Sequence, residues 1–157
     1  MAIRYWLGVI QRDHVVLGVR QGFVQINHGQ RGGLDQMRES DGFVYYSPRV
    51  STPDGAPLKA FTAIGRVSDD TVYQAAVPRP DGADWRPWRR SVDWYPDAVE
   101  APIRPMLALL DFTSFTRNWG VQLRRGFLEL SRHDFELIRT EMRPPHPDDR
   151  RFPTASR

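Results

Sequence analysis

Leu58-Lys-Ala-Phe-Thr-Ala-Ile-Gly-Arg-Val-Ser68 alternates in a way that decides the fold class. Successive side chains of a strand point to opposite faces. On that reading Phe61, Ala63 and Val67 share one face, and Leu58, Thr62, Ile64 and Arg66 share the other. Asp69-Asp70 then reads as a turn, with Thr71 to Val77 returning as the second arm of a hairpin. A parallel doubly wound sheet would need a crossover helix between strands, and the strand-like segments are not spaced that way. The expected fold is therefore α+β, a small mixed or antiparallel β-barrel with short peripheral helices.

Other segments fit around this stretch. Arg4 to Gln11 reads as a strand, followed by a weak helix from an Asp13 N-cap to about Val19. Phe23 to Asn27 is a short strand, His28 to Gly33 a loop, and Leu34 to Met37 one helical turn. Phe43 to Ser47 is a strand that stops at Pro48-Arg49, and Val50 to Pro57 is a loop. Trp85 to Tyr95 is a strand interrupted by Pro87, which suits an edge or a bulge. Pro102 to Leu110 reads as a helix opened by prolines. Asn118-Trp119-Gly120 is a turn before a strand from Val121 to Leu130, with Gly126 as a possible bulge. In the last helix Ser131 is the N-cap and Asp134 lies at N3. Leu130 and Phe135 form a hydrophobic staple, and Phe135, Ile138 and Met142 share one face. One domain is expected over residues 1–143, and residues 144–157 read as a disordered tail.

Composition narrows the classes. The chain has 157 residues, 40% of them hydrophobic, and a mean hydropathy of −0.53, values typical of a globular domain. No apolar run approaches the roughly 18–20 residues of a membrane span, and the N-terminus lacks signal-peptide architecture. There are no cysteines, which excludes disulfides, cysteine-ligated zinc and thiol nucleophiles. The expected location is the cytoplasm. Lys59 is the sole lysine among 22 basic residues, so the other 21 are arginines. Guanidinium suits bidentate contacts to phosphate and base edges.

Phosphate-loop, nucleophile-elbow and zincin signatures are missing. His14, His28, His133 and His146 lie in separate segments without ligand spacing, so neither a metal nor a cofactor is expected. Three stretches remain. His28 to Gly33 (HGQRGG) is either a plain loop or an anion-binding nest with Arg31. Asp84 to Tyr95 (DWRPWRRSVDWY) interleaves rings with guanidiniums, a recurring nucleic-acid surface. There Trp94 reads as core, and Trp88 with Arg89 and Arg90 as functional. Arg117 to Gly126 (RNWGVQLRRG) places Trp119 in a polar turn, either as a lid on the core or as a pocket wall. Arg124 and Arg125 would face opposite sides of a strand.

Several segments occur in an order that resembles the EVE-domain family of the PUA-like superfamily, related to YTH and ASCH domains. They are Tyr5 to Val19 (YWLGVIQRDHVVLGV), Gly22 to Gly29 (GFVQINHG), Val44 to Arg49 (VYYSPR), Ala60 to Val67 with Asp69-Asp70, and Val72-Tyr73-Gln74. Pro87 with Arg89, Arg90 and Val92 follows, then Ala101-Pro102-Ile103 with Leu107 and Leu110, and Asn118-Trp119-Gly120. The resemblance covers about Ala2 to Met142. It implies a PUA-like barrel with a concave pocket, and a non-enzymatic reader of modified bases, particularly modified cytosine in DNA or a modified base in RNA. The family has also been connected to defence and restriction systems.

Carried onto this chain, the resemblance implies a pocket of Phe23, Val24, Gln25, His28, Tyr46, Ser47, Pro48, Trp88, Trp119 and Gly120. Trp88 and Trp119 would be stacking walls, and Gln25, His28 and Ser47 would read polar edges. Arg31, Arg49, Arg89, Arg90 and Arg124 would contact phosphate at the rim. Tyr45 would pack and Tyr46 would face the pocket. Val24 stands where a YTH domain supplies a cage tryptophan, which argues against methyladenine as the ligand. The alternatives are a hydrolase of a nucleotide-like molecule, with His28 as acid or base, and a binder of a free metabolite.

Overall fold

The computed structural model describes residues 2–51, 54–114 and 116–144. In chain order the elements are β1 (Tyr5–Val9), α1 (Arg12–Gln21), β2 (Phe23–Val24) and two 3-10 turns (Asn27–Gly29, Leu34–Gln36). Then come β3 (Gly42–Arg49), β4 (Pro57–Gln74), β5 (Val77–Pro78), β6 (Asp84–Trp85), β7 (Trp88–Trp94) and β8 (Ala101–Pro102). A third 3-10 turn (Arg104–Met106), α2 (Gly120–Leu123), β9 (Phe127–Leu130) and α3 (Arg132–Met142) complete the described chain.

The main sheet runs β2-β7-β4-β3-β1-β9, with β8 also pairing to β4 and a separate β5-β6 ribbon. β1 pairs with β3 in parallel and all other pairs are antiparallel. The fold is thus mixed α+β, as the alternation implied, but the sheet does not close into a barrel. Its terminal strands β2 and β9 share no ladder. β2 is only two residues long, and the chain leaves it for left-handed backbone at Asn27 (φ 46°) and His28 (φ 60°). Side chains span the seam instead. Gly33 packs against Ile26 and Phe127, and Phe127 stacks on Trp6 at 5.1 Å.

Both sheet faces are buried. One carries Trp6, Val24, Phe43, Tyr45, Ala63, Val67 and Val92, covered by Val15 of α1 and by Leu34 and Met37. The other carries Tyr5, Leu7, Val44, Tyr46, Phe61 and Ile64, covered by Ile103, Met106, Leu110 and the Phe135, Ile138, Met142 face of α3. That helix starts as expected, with the Ser131 hydroxyl accepting from the Asp134 backbone N–H.

The opening stretch differs from its simple reading in two ways, each with a physical cause. First, Asp69-Asp70 does not reverse the chain, and β4 continues to Gln74. Against β7, pairing jumps from Val67↔Val92 to Val72↔Arg90, five steps on β4 against two on β7, so three extra residues bulge out. The bulge is tied down from outside. Arg90 donates to the Asp69 carbonyl at 3.2 Å, Asp70 accepts from the Glu39 N–H, and Asp69 accepts from the Thr71 N–H. Side-chain-to-backbone bonds of this kind imitate a turn signal. Second, Phe61 faces with Ile64, not with Ala63 and Val67. Against β3 the register slips between Tyr45↔Ala63 and Tyr46↔Phe61, leaving Thr62 extra. One extra residue inverts the facing of everything beyond it.

Other boundaries also shift. Asp13 sits inside the first turn of α1, and Gln11 is the N-cap. The expected Pro102 to Leu110 helix is strand β8 followed by one 3-10 turn. The expected strand from Val121 is instead the short helix α2, capped by Arg124, and left-handed Gly126 (φ 75°) leads into β9, which starts only at Phe127. Pro144 is buried, and its carbonyl accepts from Arg139, so the packed body reaches that residue. The rest of the expected disordered tail lies outside the described residues. No helix among the described residues is long and apolar enough to cross a membrane.

Candidate functional site

A cleft of about 990 Å³ opens at one end of the sheet. Val9, Ile10, Gln11 and His14 line it from the β1–α1 junction, and Gln25, Asn27 and His28 from the chain leaving β2. Tyr46, Pro48, Arg49 and Lys59 line it from β3 and β4, Trp85 from β6, and Trp119, Gly120, Leu123, Arg124 and Gly126 from around α2.

Local backbone geometry sets each wall. Gln25 lies just past the β2 ladder, so its N–H and C=O have no strand partner. The buried Tyr45 hydroxyl serves both, accepting from the N–H and donating to the carbonyl, each at 2.9 Å. The turn that follows places two non-glycine residues in left-handed backbone, which costs about 1–2 kcal/mol per residue. Gly29 (φ 84°) closes it against Pro87, where a Cβ would lie 2.5 Å from the Pro87 Cβ. Lys59 is also left-handed, at φ 52°, inside the second register slip between Ser47 and Arg49. Three left-handed non-glycine residues, Asn27, His28 and Lys59, therefore stand on the walls of one cleft. Such strain persists only where surrounding structure enforces it, and it concentrates at functional sites.

Chemically the cleft combines rings and cations. Trp119 is half-buried and packs against the core on the sheet face that α3 covers, while Trp85 carries Arg79 5.1 Å above its ring. Arg49 donates to the Gly55 carbonyl at 3.1 Å. Three permanent cations, Arg49, Lys59 and Arg124, reach the cleft, and no carboxylate lines it among the described residues. Such a surface favours an anionic ligand.

Tyr46 is 2% exposed, and burial pushes its hydroxyl from 10.0 up to about 12 against the opposing charge of Arg104. Tyr45 is raised as well, by burial against its Gln25 hydrogen bond and Arg89. A raised folded value means that stability is complete below pH 10 and is lost as pH rises through the folded values. Alkaline unfolding followed by circular dichroism should steepen above pH 10, and Tyr46→Phe should flatten part of that slope. An unchanged slope would count against the burial of this hydroxyl.

Of the residues marked in the sequence, the structure brings Gln25, His28, Tyr46, Pro48, Arg49, Trp119, Gly120 and Arg124 to the cleft. The others serve the interior or other surfaces. Phe23 and Val24 are core. Ser47 is fully buried and bonded to the Thr62 hydroxyl at 2.8 Å. Trp88 packs on the same core face as Trp94, with Arg31 stacked 4.6 Å above it and paired to Asp35. Arg90, 2% exposed, donates to the Leu34 carbonyl at 2.8 Å. Arg89 lies 3.7 Å over the Phe23 ring and donates to Gln25 Oε1 at 3.1 Å. The alternation of β7 turns Trp88, Arg90, Val92 and Trp94 inward together, away from the cleft.

Trp85, three residues earlier and beyond Pro87, is the tryptophan of that segment that reaches the cleft. Asn27 and Lys59 were also missed. The only signal for Lys59 was its being the sole lysine. Asn27 carried none beyond its tolerance for left-handed backbone.

The donor atoms of Asp111, His133 and Asp134 lie within 4.8 Å of one another, but they are engaged at the start of α3. Asp134 accepts from the Asp111 and Phe112 N–H groups, Asp111 from the Ser131 hydroxyl, and His133 Nε2 pairs with the Leu109 carbonyl.

An open, mixed sheet with core on both faces and a cleft at one end defines an α+β domain. The EVE domain family model matches residues 4–141, and the chain belongs to that family. A UPF0310 protein of Mycolicibacterium vanbaalenii is 46% identical over 140 residues, covering 89% of this chain and 93% of that protein. The UPF0310 protein YdcG of Bacillus subtilis is 37% identical over 142 residues, covering 90% and 94%. Among solved structures, a hypothetical protein from Leishmania major is similar at a TM-score of 0.49 and 14% identity, over 87% of this chain and 92% of that one.

Proposed function

We propose that the cleft is a non-catalytic reader of a modified nucleic-acid base, a modified cytosine in DNA or a modified base in RNA. One observation carries this reading: Trp119 and Trp85 share a cleft with Arg49, Lys59 and Arg124, and among the described residues no carboxylate lines it. Flipping a base out of its stack costs a few kcal/mol, and an aromatic platform returns about 1–3 kcal/mol. The cations would hold the flanking phosphates, and the modification would fill apolar space beside Ile10 and Leu123.

The test is binding of single-stranded DNA and RNA nonamers to wild type and to Trp119→Ala. The central residue would be cytosine, 5-methylcytosine, 5-hydroxymethylcytosine or N6-methyladenine. Wild type should prefer one modified strand, and Trp119→Ala should weaken that strand by at least about tenfold. Absence of binding, or a preference untouched by Trp119→Ala, would overturn the reading.

A further inference from the structure

Gln25 is held in the cleft wall through both its backbone and its side chain. A glutamine amide has an acceptor end and a donor end that could exchange by rotation. Here rotation is blocked. The partner of Oε1 is Arg89 Nε at 3.1 Å, and a guanidinium can only donate. The oxygen must therefore face Arg89. Arg89 is itself held, with its guanidinium 3.7 Å above the Phe23 ring, and Phe23 is core. The backbone of Gln25 is equally fixed, since the Tyr45 hydroxyl binds both its N–H and its C=O. Backbone and side-chain oxygen are pinned from two directions.

The remaining end of the amide is Nε2, which makes no hydrogen bond among the described residues. The fully enclosed side-chain polar atoms without a partner are Arg90 Nε and Trp94 Nε1. Gln25 Nε2 is therefore unpaired but not sealed in, and Gln25 lines the cleft. A residue only 8% exposed thus offers the cleft the N–H donors of its amide, while the amide oxygen is turned to Arg89.

We infer that Gln25 selects a ligand edge that presents hydrogen-bond acceptors, and that Arg89 is the positioning residue that sets this preference. The inference rests on the base-reading proposal and specifies its polarity. The base must turn carbonyl oxygens or unprotonated ring nitrogens toward Gln25. Cytosine, with adjacent O2 and N3 acceptors, meets this demand, and an edge made of N–H donors does not. Arg89, expected at a phosphate, instead acts through a side chain of the cleft.

The experiment uses the nonamer that wild type binds most tightly and the same strand with an abasic site at its centre. Gln25→Glu keeps an oxygen on Arg89 and turns the second oxygen, an acceptor, toward the cleft. It should weaken the intact strand about tenfold or more, because an acceptor then faces an acceptor. The abasic strand should weaken about threefold or less, which measures the added charge alone. Arg89→Met, which keeps contact with Phe23 but frees the amide to rotate, should shrink the ratio of intact to abasic affinity severalfold. Arg89→Lys should restore part of that ratio. The Arg89 pair keeps the inference testable if Gln25→Glu folds poorly. An intact strand bound by Gln25→Glu as well as by wild type, or better, overturns the inference alone. The same holds if Arg89→Met leaves the ratio unchanged. Equal binding of intact and abasic strands by wild type overturns the base-reading proposal, and the inference with it.

Discussion

Removing the three cleft cations together should lower affinity for single-stranded oligonucleotide about a hundredfold at 0.1 M salt. The variant is Arg49→Gln, Lys59→Asn and Arg124→Gln. Each phosphate contact to a single strand contributes a slope of about −0.7 to log K against log salt, so each lost contact costs about fivefold at 0.1 M. Three lost contacts give roughly 10², and the salt slope should become shallower by about two units. Asparagine is chosen for position 59 because Lys59 sits at φ 52°, and asparagine tolerates that region better than most residues. All three side chains are exposed, so the melting temperature should change little. Affinity measured by fluorescence anisotropy across a salt series checks this. A salt slope equal to that of wild type would move the phosphate path away from the cleft.

Tyr45→Phe should cost about 2–4 kcal/mol of stability, although it removes a single oxygen. That oxygen satisfies two backbone groups of Gln25 in a buried setting. Leaving a buried donor or acceptor unmade costs about 1–3 kcal/mol each, and water entering from the cleft recovers part of that. The ring itself keeps its place, edge-on to Phe43 at 4.9 Å and stacked on Trp94 at 5.3 Å. Packing loss therefore does not contribute. Urea unfolding should show a lower midpoint at unchanged m-value. Base-dependent binding should weaken as well, because Gln25 loses its backbone clamp. A variant as stable as wild type would show that the hydroxyl is not the partner on which Gln25 depends.

Particular residues show how far the sequence was legible. The start of α3 was fully readable, because Ser131, Asp134, Leu130 and Phe135 lie within six positions of one another and act locally. The strand character of Phe43 to Ser47 was readable for the same reason, and alternation alone separated Tyr45 from Tyr46. The cleft was half readable. Gln25, His28, Tyr46, Pro48, Arg49, Trp119, Gly120 and Arg124 were marked through resemblance to the EVE family. Trp88 and Arg90 were expected at the cleft, but Trp88 packs on the core and Arg90 is bonded to the Leu34 and Asp69 carbonyls. Composition says that a ring and a guanidinium are present, but not whether the strand turns them toward a cleft or a core.

The sequence by itself determined what depends on neighbours a few positions apart. That includes strands with apolar residues on both faces, the capped final helix, the absence of cysteine chemistry and a positive charge carried almost wholly by arginine. Tertiary structure decided what depends on distant partners. Arg90 holds the bulge at Asp69, 21 positions away, so an apparent hairpin stays one strand. The register slip at Thr62 reverses the facing of Phe61, because facing is counted from the partner strand and not from the sequence. Arg89 reaches Gln25 across 64 positions, and only that contact gives the amide a direction. Local propensity fixes which elements form; register and long-range pairing fix which side chains meet.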